Sequence, residues 1–565
     1  MTADIDRPRK TSTQRVALSG RARHSPALRR CVALLGWLLA ASPALSAQGF
    51  EALLPPSADF GPNFGLAVSI EADTALVGAR FANDSGPDAG AAFVFTRDAQ
   101  GGWSTPVELV PVGGSPGDLF GWAVELDGDR AFVGAPSDDS ETFFPQGQQA
   151  GSVYVFGRDD NGAWQQLVKL RATHELSSNQ FGCSIAADDE LLLVGARWAN
   201  VNGQLIAGAA YVFPEVGGSW PLGVRLTASD ARASDQFGEA VALSGNTLVI
   251  GAKGHDHSAL NTNHGAAYVF VPGALPGNWV QQAELRAAQP MQADNLGRAL
   301  SLDGDRLVVG APGNGSGVVD SGSALVFERD AGTWTQVAEL LPNDGASDDR
   351  FGHAVSLRGD RVVVGAFFRD DAAHNSGAGY FFERTAQGDW SRQAKFFTAG
   401  GLLGDRLGIA LDFDGEQVLL GASGDDTLGE GAGAAYSLPL SLVSPWTDRE
   451  HALAGTNGAP SLVGLGPLQP DTRLDVLLTG ALPESFASLV LGADELGAAF
   501  KGGVLVPVPS QVVALRVDAD GEAALHGRWP TGVPAGFELV LQTWVVDPGA
   551  DFGFAASNAL RAVAP

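Results

Sequence analysis

Seven times along this chain, a glycine following phenylalanine or leucine is answered by a second glycine at one constant spacing. The first member lies at Phe64-Gly65, Phe120-Gly121, Phe181-Gly182, Phe237-Gly238, Leu296-Gly297, Phe351-Gly352 and Leu407-Gly408. The second opens a Gly-Ala pair at Gly78, Gly134, Gly195, Gly251, Gly310, Gly365 and Gly421. The offset from Gly65 to Gly78 is repeated without change in all seven, whereas the copies themselves are unevenly spaced, farthest apart from Phe120 to Phe181 and closest from Leu296 to Phe351. A fixed inner spacing within a variable outer one marks a unit copied along the chain, whose apolar faces are buried only against its neighbours.

Each copy carries two further signatures. One reads GAAFVF from Gly90, GSVYVF from Gly151, GAAYVF from Gly208 and Gly265, GSALVF from Gly322, GAGYFF from Gly377 and GAAYSL from Gly433. The other starts at Trp103, Trp164, Trp220, Trp279, Trp334 and Trp390. All are short, β-branched or aromatic, and bounded by Gly, Asp and Asn, which predicts strands. Asp303-Gly304 suits a tight hairpin between the first two. Four strands in each of seven units predict an all-β chain folded as a seven-bladed β-propeller over 48–442. The seventh unit lacks a Trp-led fourth strand. Residues 49–55 resemble that strand in other copies, so they are expected to close the last blade and remove an open edge.

Residues present in every copy are expected to serve the blade. The tyrosines Tyr154, Tyr211, Tyr268, Tyr380 and Tyr436 share one strand position and read as packing. An Asp or Asn two residues before the Phe or Leu, as at Asp118, Asn179, Asp235, Asp294, Asp349 and Asp405, suits a bond to nearby turn N–H groups.

The leader region, 1–47, differs. Eight basic residues face Asp4 and Asp6, and an apolar run from Cys31 to Ala41 leads to small residues ending at Ala47. This order predicts a secretory signal peptide over 1–47, and its apolar run is too short to span a bilayer. Its removal makes the chain's net charge of −28 more negative still. Such a balance repels nucleic acid. Cys183 is then the sole thiol, so an intramolecular disulfide is excluded, and it occupies the position of Leu66, Trp122, Glu239, Arg298, His353 and Ile409 in the other copies.

Phe-Gly followed by Gly-Ala, and by Gly-Ala-Pro at Gly134 and Gly310, resembles the FG-GAP repeat that forms the seven-bladed head of integrin α subunits and arrays in bacterial secreted proteins. The resemblance covers roughly residues 50–440. It implies extracellular ligand binding or adhesion. Repeats of the integrin type often carry a calcium loop of alternating acids. No clean D-x-D-x-D-G run occurs here; the nearest candidates for Ca2+ are Asp84, Asp88, Asp138, Asp139, Asp370, Asp371, Asp425 and Asp426.

Irregular residues are the better functional candidates. The segment from Gly-Ala to the third strand is short in the first copy, Gly78 to Gly90, and longest in the second, Gly134 to Gly151, so one face of the ring varies. Loops on one face of a rigid scaffold are where binding usually resides. The expected ligand face comprises Phe143, Phe144, Trp198, His255, His257, Phe367, Phe368 and Arg369. His255, His257 and His264 offer a transition-metal set. No G-x-S-x-G, H-E-x-x-H or P-loop occurs.

Beyond the repeats, 443–458 reads as a linker. Residues 459–565 alternate short apolar runs with turns and predict a small C-terminal β-sandwich. The reading reached is a secreted, monomeric binding or adhesion protein for an extracellular protein or glycan. The alternative is a propeller-scaffold hydrolase or lyase acting on extracellular polysaccharide, which needs Arg, His and carboxylates converging at the funnel.

Overall fold

The computed structural model describes residues 40–41 and 50–563. Excepted within that span are 58–62, 84, 140–148, 173–177, 189, 257–261, 276, 316–319, 343, 371–372, 386, 399–400, 441–445, 449–451, 466–467, 469–472, 494, 502, 519–520, 530–532 and 534–536. Among the described residues every regular element is a strand.

The repeat becomes seven four-stranded antiparallel sheets. Blade 4 is representative. Its strands Phe237–Ser244, Thr247–Ala252, Ala266–Pro272 and Trp279–Leu285 pair in chain order. The inner strand Thr247–Ala252 is buried throughout, whereas Trp279–Leu285 alternates exposed and covered positions. A continuous apolar run therefore lies between neighbours on both faces, and an alternating run lies at the rim. In blade 5, Ala299–Asp303 turns into Arg306–Ala311 through Gly304, whose φ of +58° fits a tight hairpin.

Adjacent blades are tied at three levels. An apolar cluster fills each junction; Phe132 and Val153 of blade 2 meet Phe181 and Tyr211 of blade 3 in one of them. The glycine that opens each third strand makes a parallel bridge to the Phe or Leu of the next unit, from Gly90↔Phe120 round to Gly433↔Phe64. The two repeat glycines also meet across the junction. A Cβ on Gly78 would run into the carbonyl oxygen of Gly121, itself at φ +86°. Backbone approach this close admits no side chain.

The two ends of the repeat array meet in blade 7. Glu51–Leu53 pairs with Ala434–Pro439 in the register Glu51↔Ser437, Ala52↔Tyr436, Leu53↔Ala435. Its sheet-mates are Leu407–Phe413 and Gln417–Ala422.

The C-terminal region forms two facing sheets. One contains Ser461–Leu465, Arg473–Thr479 and Ala523–Arg528. The other contains Trp446–Asp448, Phe554–Val563, Glu538–Val546, Phe486–Gly492 and Gln511–Arg516. Leu462, Val476 and Trp529 share a core with Leu489, Leu541 and Leu560. The linker expected over 443–458 needs correction. Trp446–Asp448 is an edge strand against Ala562–Leu560, and the Thr456 N–H and hydroxyl both donate to Asp547 at 2.6 Å. The backbone pairing of 446–448 and the Thr456 bonds tie the segment to the sandwich edge. Val463 and Leu477 pack in turn against Phe396, Phe397 and Leu440, which docks the sandwich on blades 6 and 7. The leader expected over 1–47 lies outside the described residues except Ala40–Ala41, whose backbone pairs with Leu525 and His526.

Candidate functional site at the propeller axis

Sevenfold repetition places equivalent residues in rings. The residue after each Phe/Leu-Gly faces the axis, which gives Leu66, Trp122, Cys183, Glu239, Arg298, His353 and Ile409 around one funnel of about 390 Å³. The residue after each Gly-Ala stands at its rim, where the loops of the variable face begin. In blades 1, 3 and 4 that residue is Arg80, Arg197 and Lys253.

Three cations, Arg197, Lys253 and Arg298, thus gather on a single carboxylate with Arg80 nearby, in a chain whose net charge is −28. Glu239 is buried; Lys253 Nζ donates to it at 2.7 Å, Arg197 lies 3.3 Å away and Arg298 3.7 Å. Burial alone would raise its carboxyl, but Arg298, Lys253 and Arg197 together hold it below its ordinary value. Burial lowers Lys253 and Arg298, and it pushes Arg80 down to about 10 with help from Arg197 and Arg298. Desolvation dominates these shifts; Glu239 opposes it at Lys253 and Arg298, and neighbouring guanidiniums add to it at Arg80. The Arg298 side chain is still 32% exposed, so it meets the water of the funnel.

Aromatic rings hold the cations in place. Trp122 lies between two guanidiniums, Arg80 at 4.0 Å and Arg197 at 5.1 Å from its ring centroid. Arg197 Nε also donates to Gln180 at 2.7 Å. The buried Nε of Arg80 has no hydrogen-bond partner among the described residues.

His353 is fixed by its partners. Arg298 Nη2, which can only donate, lies 2.9 Å from Nε2, and the Ile409 carbonyl, which can only accept, lies 3.2 Å from Nδ1. The ring is therefore the neutral Nδ1–H tautomer, and burial and Arg298 hold its pKa well below the ordinary value. Burial raises the Cys183 thiol, which lies 3.3 Å from the Gly238 carbonyl. The funnel thus holds Arg298, Arg197 and Arg80 beside one buried carboxylate and a neutral imidazole.

Deeper along the axis, Glu125 stands where other blades place Ser69, Ser301 or Ser356. Burial raises its carboxyl well above the ordinary value, Asp412 adds to this, and Arg358 opposes it. A raised folded-state pKa stabilises the fold below the ordinary pKa of 4.5, and that contribution is lost as pH rises. Glu125→Gln is therefore expected to melt about 1–3 °C above wild type at pH 7 and to converge with it near pH 4. Melting curves taken across that range check this; a difference independent of pH would contradict it.

The expected calcium candidates are distributed differently. Asp139, Asp370 and Asp426 each accept a backbone N–H of their own loop, from Gln149, Asn375 and Gly431, and Asn83 accepts that of Asp88. Asp138 and Asp425 accept the hydroxyls of Tyr154 and Tyr436 at 2.7 and 2.5 Å. Among the described residues these carboxylates close loops and accept tyrosine hydroxyls. Asp84 and Asp371 lie outside the described residues.

Of the expected ligand face, Trp198 is exposed beside Arg197, and Phe367 stacks on His353 at 4.4 Å and on Phe368 at 4.0 Å, at the funnel rim. Two members are corrected. Arg369 is buried in ion pairs with Asp344 and Asp349, and His255 is buried against Asp235 and Tyr268, because both fill the space between loop and third strand. His264 Nδ1 lies 2.8 Å from the Thr262 hydroxyl. Phe143, Phe144 and His257 lie outside the described residues. Sequence reasoning missed Arg80, Arg197, Lys253 and Arg298. The available signal was a cation in each repeat column that other copies fill with Pro136, Pro312, Leu66 or Ile409.

The FG-GAP repeat family matches seven segments, 51–95, 103–156, 164–213, 220–270, 279–327, 334–382 and 390–438. No curated protein matches the chain. Among solved structures it is similar to a putative 6-phosphogluconolactonase from Bacteroides uniformis (12% identity, 62% of this chain and 89% of that one, TM-score 0.39). It is also similar to Saccharomyces cerevisiae Sqt1 (11% identity, 70% and 99%, TM-score 0.37). Superpositions this loose carry no argument about function.

Proposed function

Because the chain belongs to the FG-GAP repeat family, we propose that it is a secreted or cell-surface binding protein that takes an acidic group of an extracellular protein or glycan into its axial funnel. The observation that carries this reading is the gathering of Arg197, Lys253 and Arg298 about one carboxylate, Glu239, with Arg80 beside them on the Trp122 ring and its Nε donor unmatched among the described residues. Hydrogen bonds to charged groups contribute roughly 1.5–3 kcal/mol each, enough to select acidic over neutral ligands. Trp198 and Phe368 beside the rim supply apolar contact for the rest of the ligand. Among the described residues no helix is long and apolar enough to cross a membrane.

The experiment is calorimetric binding of uronic-acid oligosaccharides and carboxylate-rich peptides, compared with neutral counterparts, to wild type and to Arg298→Ala. Acidic ligands are expected to bind preferentially, more weakly as salt rises, and about 10–100-fold more weakly to the variant. Equal affinity for neutral ligands, or an unaffected variant, would refute the reading. Shortening of the oligosaccharide by the wild type would favour the hydrolase or lyase alternative.

A further inference from the structure

Blade 4 departs from blades 2 and 6 at one cluster. In blades 2, 4 and 6 the third-strand tyrosine, Tyr154, Tyr268 or Tyr380, pairs across the sheet with Lys169, Glu284 or Lys395. The residue four past the Gly-Ala glycine is Asp138, His255 or Arg369 in turn. In blade 2, Lys169 Nζ lies 2.7 Å from Asp138. In blade 6, Lys395 and Arg392 each lie 2.7 Å from Asp344, and Arg369 lies 3.0 Å from Asp349. Carboxylates there face cations at short range. Blade 4 keeps the acids, as Asp230 and Asp235 at the positions of Asp344 and Asp349, and replaces the lysine by a third one, Glu284.

We propose that Asp230, His255 and Glu284 form a site for a divalent transition-metal ion of the zinc type. His255 Nε2 lies 3.7 Å from Asp230 Oδ2 and 3.5 Å from Glu284 Oε1, and the three ligand atoms lie within 4.8 Å of one another. Atoms bound tetrahedrally at about 2.0–2.2 Å from one ion sit about 3.3–3.6 Å apart. The surrounding groups orient this set. Asp235 Oδ2 lies 3.3 Å from His255 Nδ1, the carboxylate–histidine pairing that turns the other ring nitrogen to a metal. Tyr268 donates its hydroxyl to Asp230 Oδ1 at 3.0 Å and lies 3.3 Å from His255 Nδ1. Arg286 holds Glu284 from the solvent side at 2.5 and 2.8 Å. His255 is 1% exposed, so its ring is set by packing. An imidazole nitrogen among the donors favours zinc and the later transition metals over calcium, which prefers all-oxygen ligation.

The sister blades supply variants that should fold. Glu284→Lys restores the lysine of blades 2 and 6, and His255→Asp restores the residue of blade 2. Chelator-stripped full chain is titrated with Zn2+ by calorimetry, with Co2+ absorption as a spectroscopic readout and thermal unfolding as a control. The expected result is one ion per chain, with affinity at least about 100-fold weaker in both folded variants. Failure of folded wild type to bind Zn2+ at micromolar concentration, or retention of its affinity in Glu284→Lys, would overturn the proposal. The funnel reading is tested separately through Arg298 of blade 5, which neither variant touches.

Discussion

Deleting residues 48–56 is expected to lower the melting temperature by about 5–10 °C and to promote aggregation. Glu51–Leu53 is short, yet among the described residues it is the strand that covers the Ala434–Pro439 edge. Leu53 is 1% exposed in the cluster joining blades 7 and 1. Phe50 packs edge-on against Tyr436 at 5.8 Å, and Glu51 Oε1 accepts the Trp103 N–H at 3.1 Å. Two apolar side chains and a few ladder hydrogen bonds amount to roughly 5 kcal/mol. Spread over the unfolding entropy of a propeller this size, that corresponds to several degrees. The uncovered strand becomes a template for intermolecular pairing. Calorimetry with light scattering checks both effects. An unchanged melting temperature would show that the ring holds without its closing strand.

Placing a side chain where two blades touch is expected to do at least as much damage. Gly251→Val directs its Cβ into the Gly297 carbonyl oxygen and toward the Gly297 Cα, backbone atoms of the next blade that cannot rotate away. Relieving that contact means moving two blades apart, and a cost above about 4 kcal/mol is expected, seen as insoluble or early-melting protein. Gly304→Ala is the control. Gly304 has φ +58° but open space around its Cβ position, so only the local backbone penalty of about 1 kcal/mol applies. If the two variants melted alike, the close approach of the repeat glycines would not be what sets their spacing.

The blades were legible because their information is local. A hairpin framed by two glycines, a buried third strand and an alternating fourth one each leave a pattern inside a single copy of the repeat. Even the Asp before each Phe or Leu acts locally: Asp118, Asp235, Asp294, Asp349 and Asp405 each accept the N–H three residues earlier, at 2.6–2.7 Å. The acidic loops were visible as acidic, but their employment was not. Whether Asp139 or Asp426 binds an ion or its own backbone depends on where the loop's N–H groups point.

Sequence alone determined the seven units, the four strands in each and the repeat columns that run through them, since glycine spacing and apolar alternation are properties of neighbouring residues. Only the tertiary structure decided what the columns mean. Arg80 of blade 1 and Arg298 of blade 5 are remote in the chain and lie at one funnel because the ring closes. Lys253 and Glu239 became an ion pair and His255 a partner of Asp230 and Glu284 through contacts between strands and loops of one blade, and His353 a fixed neutral ring through a contact between blades. Charge adds up in space, and the chain's overall negative balance conceals a positive centre that separate blades assemble.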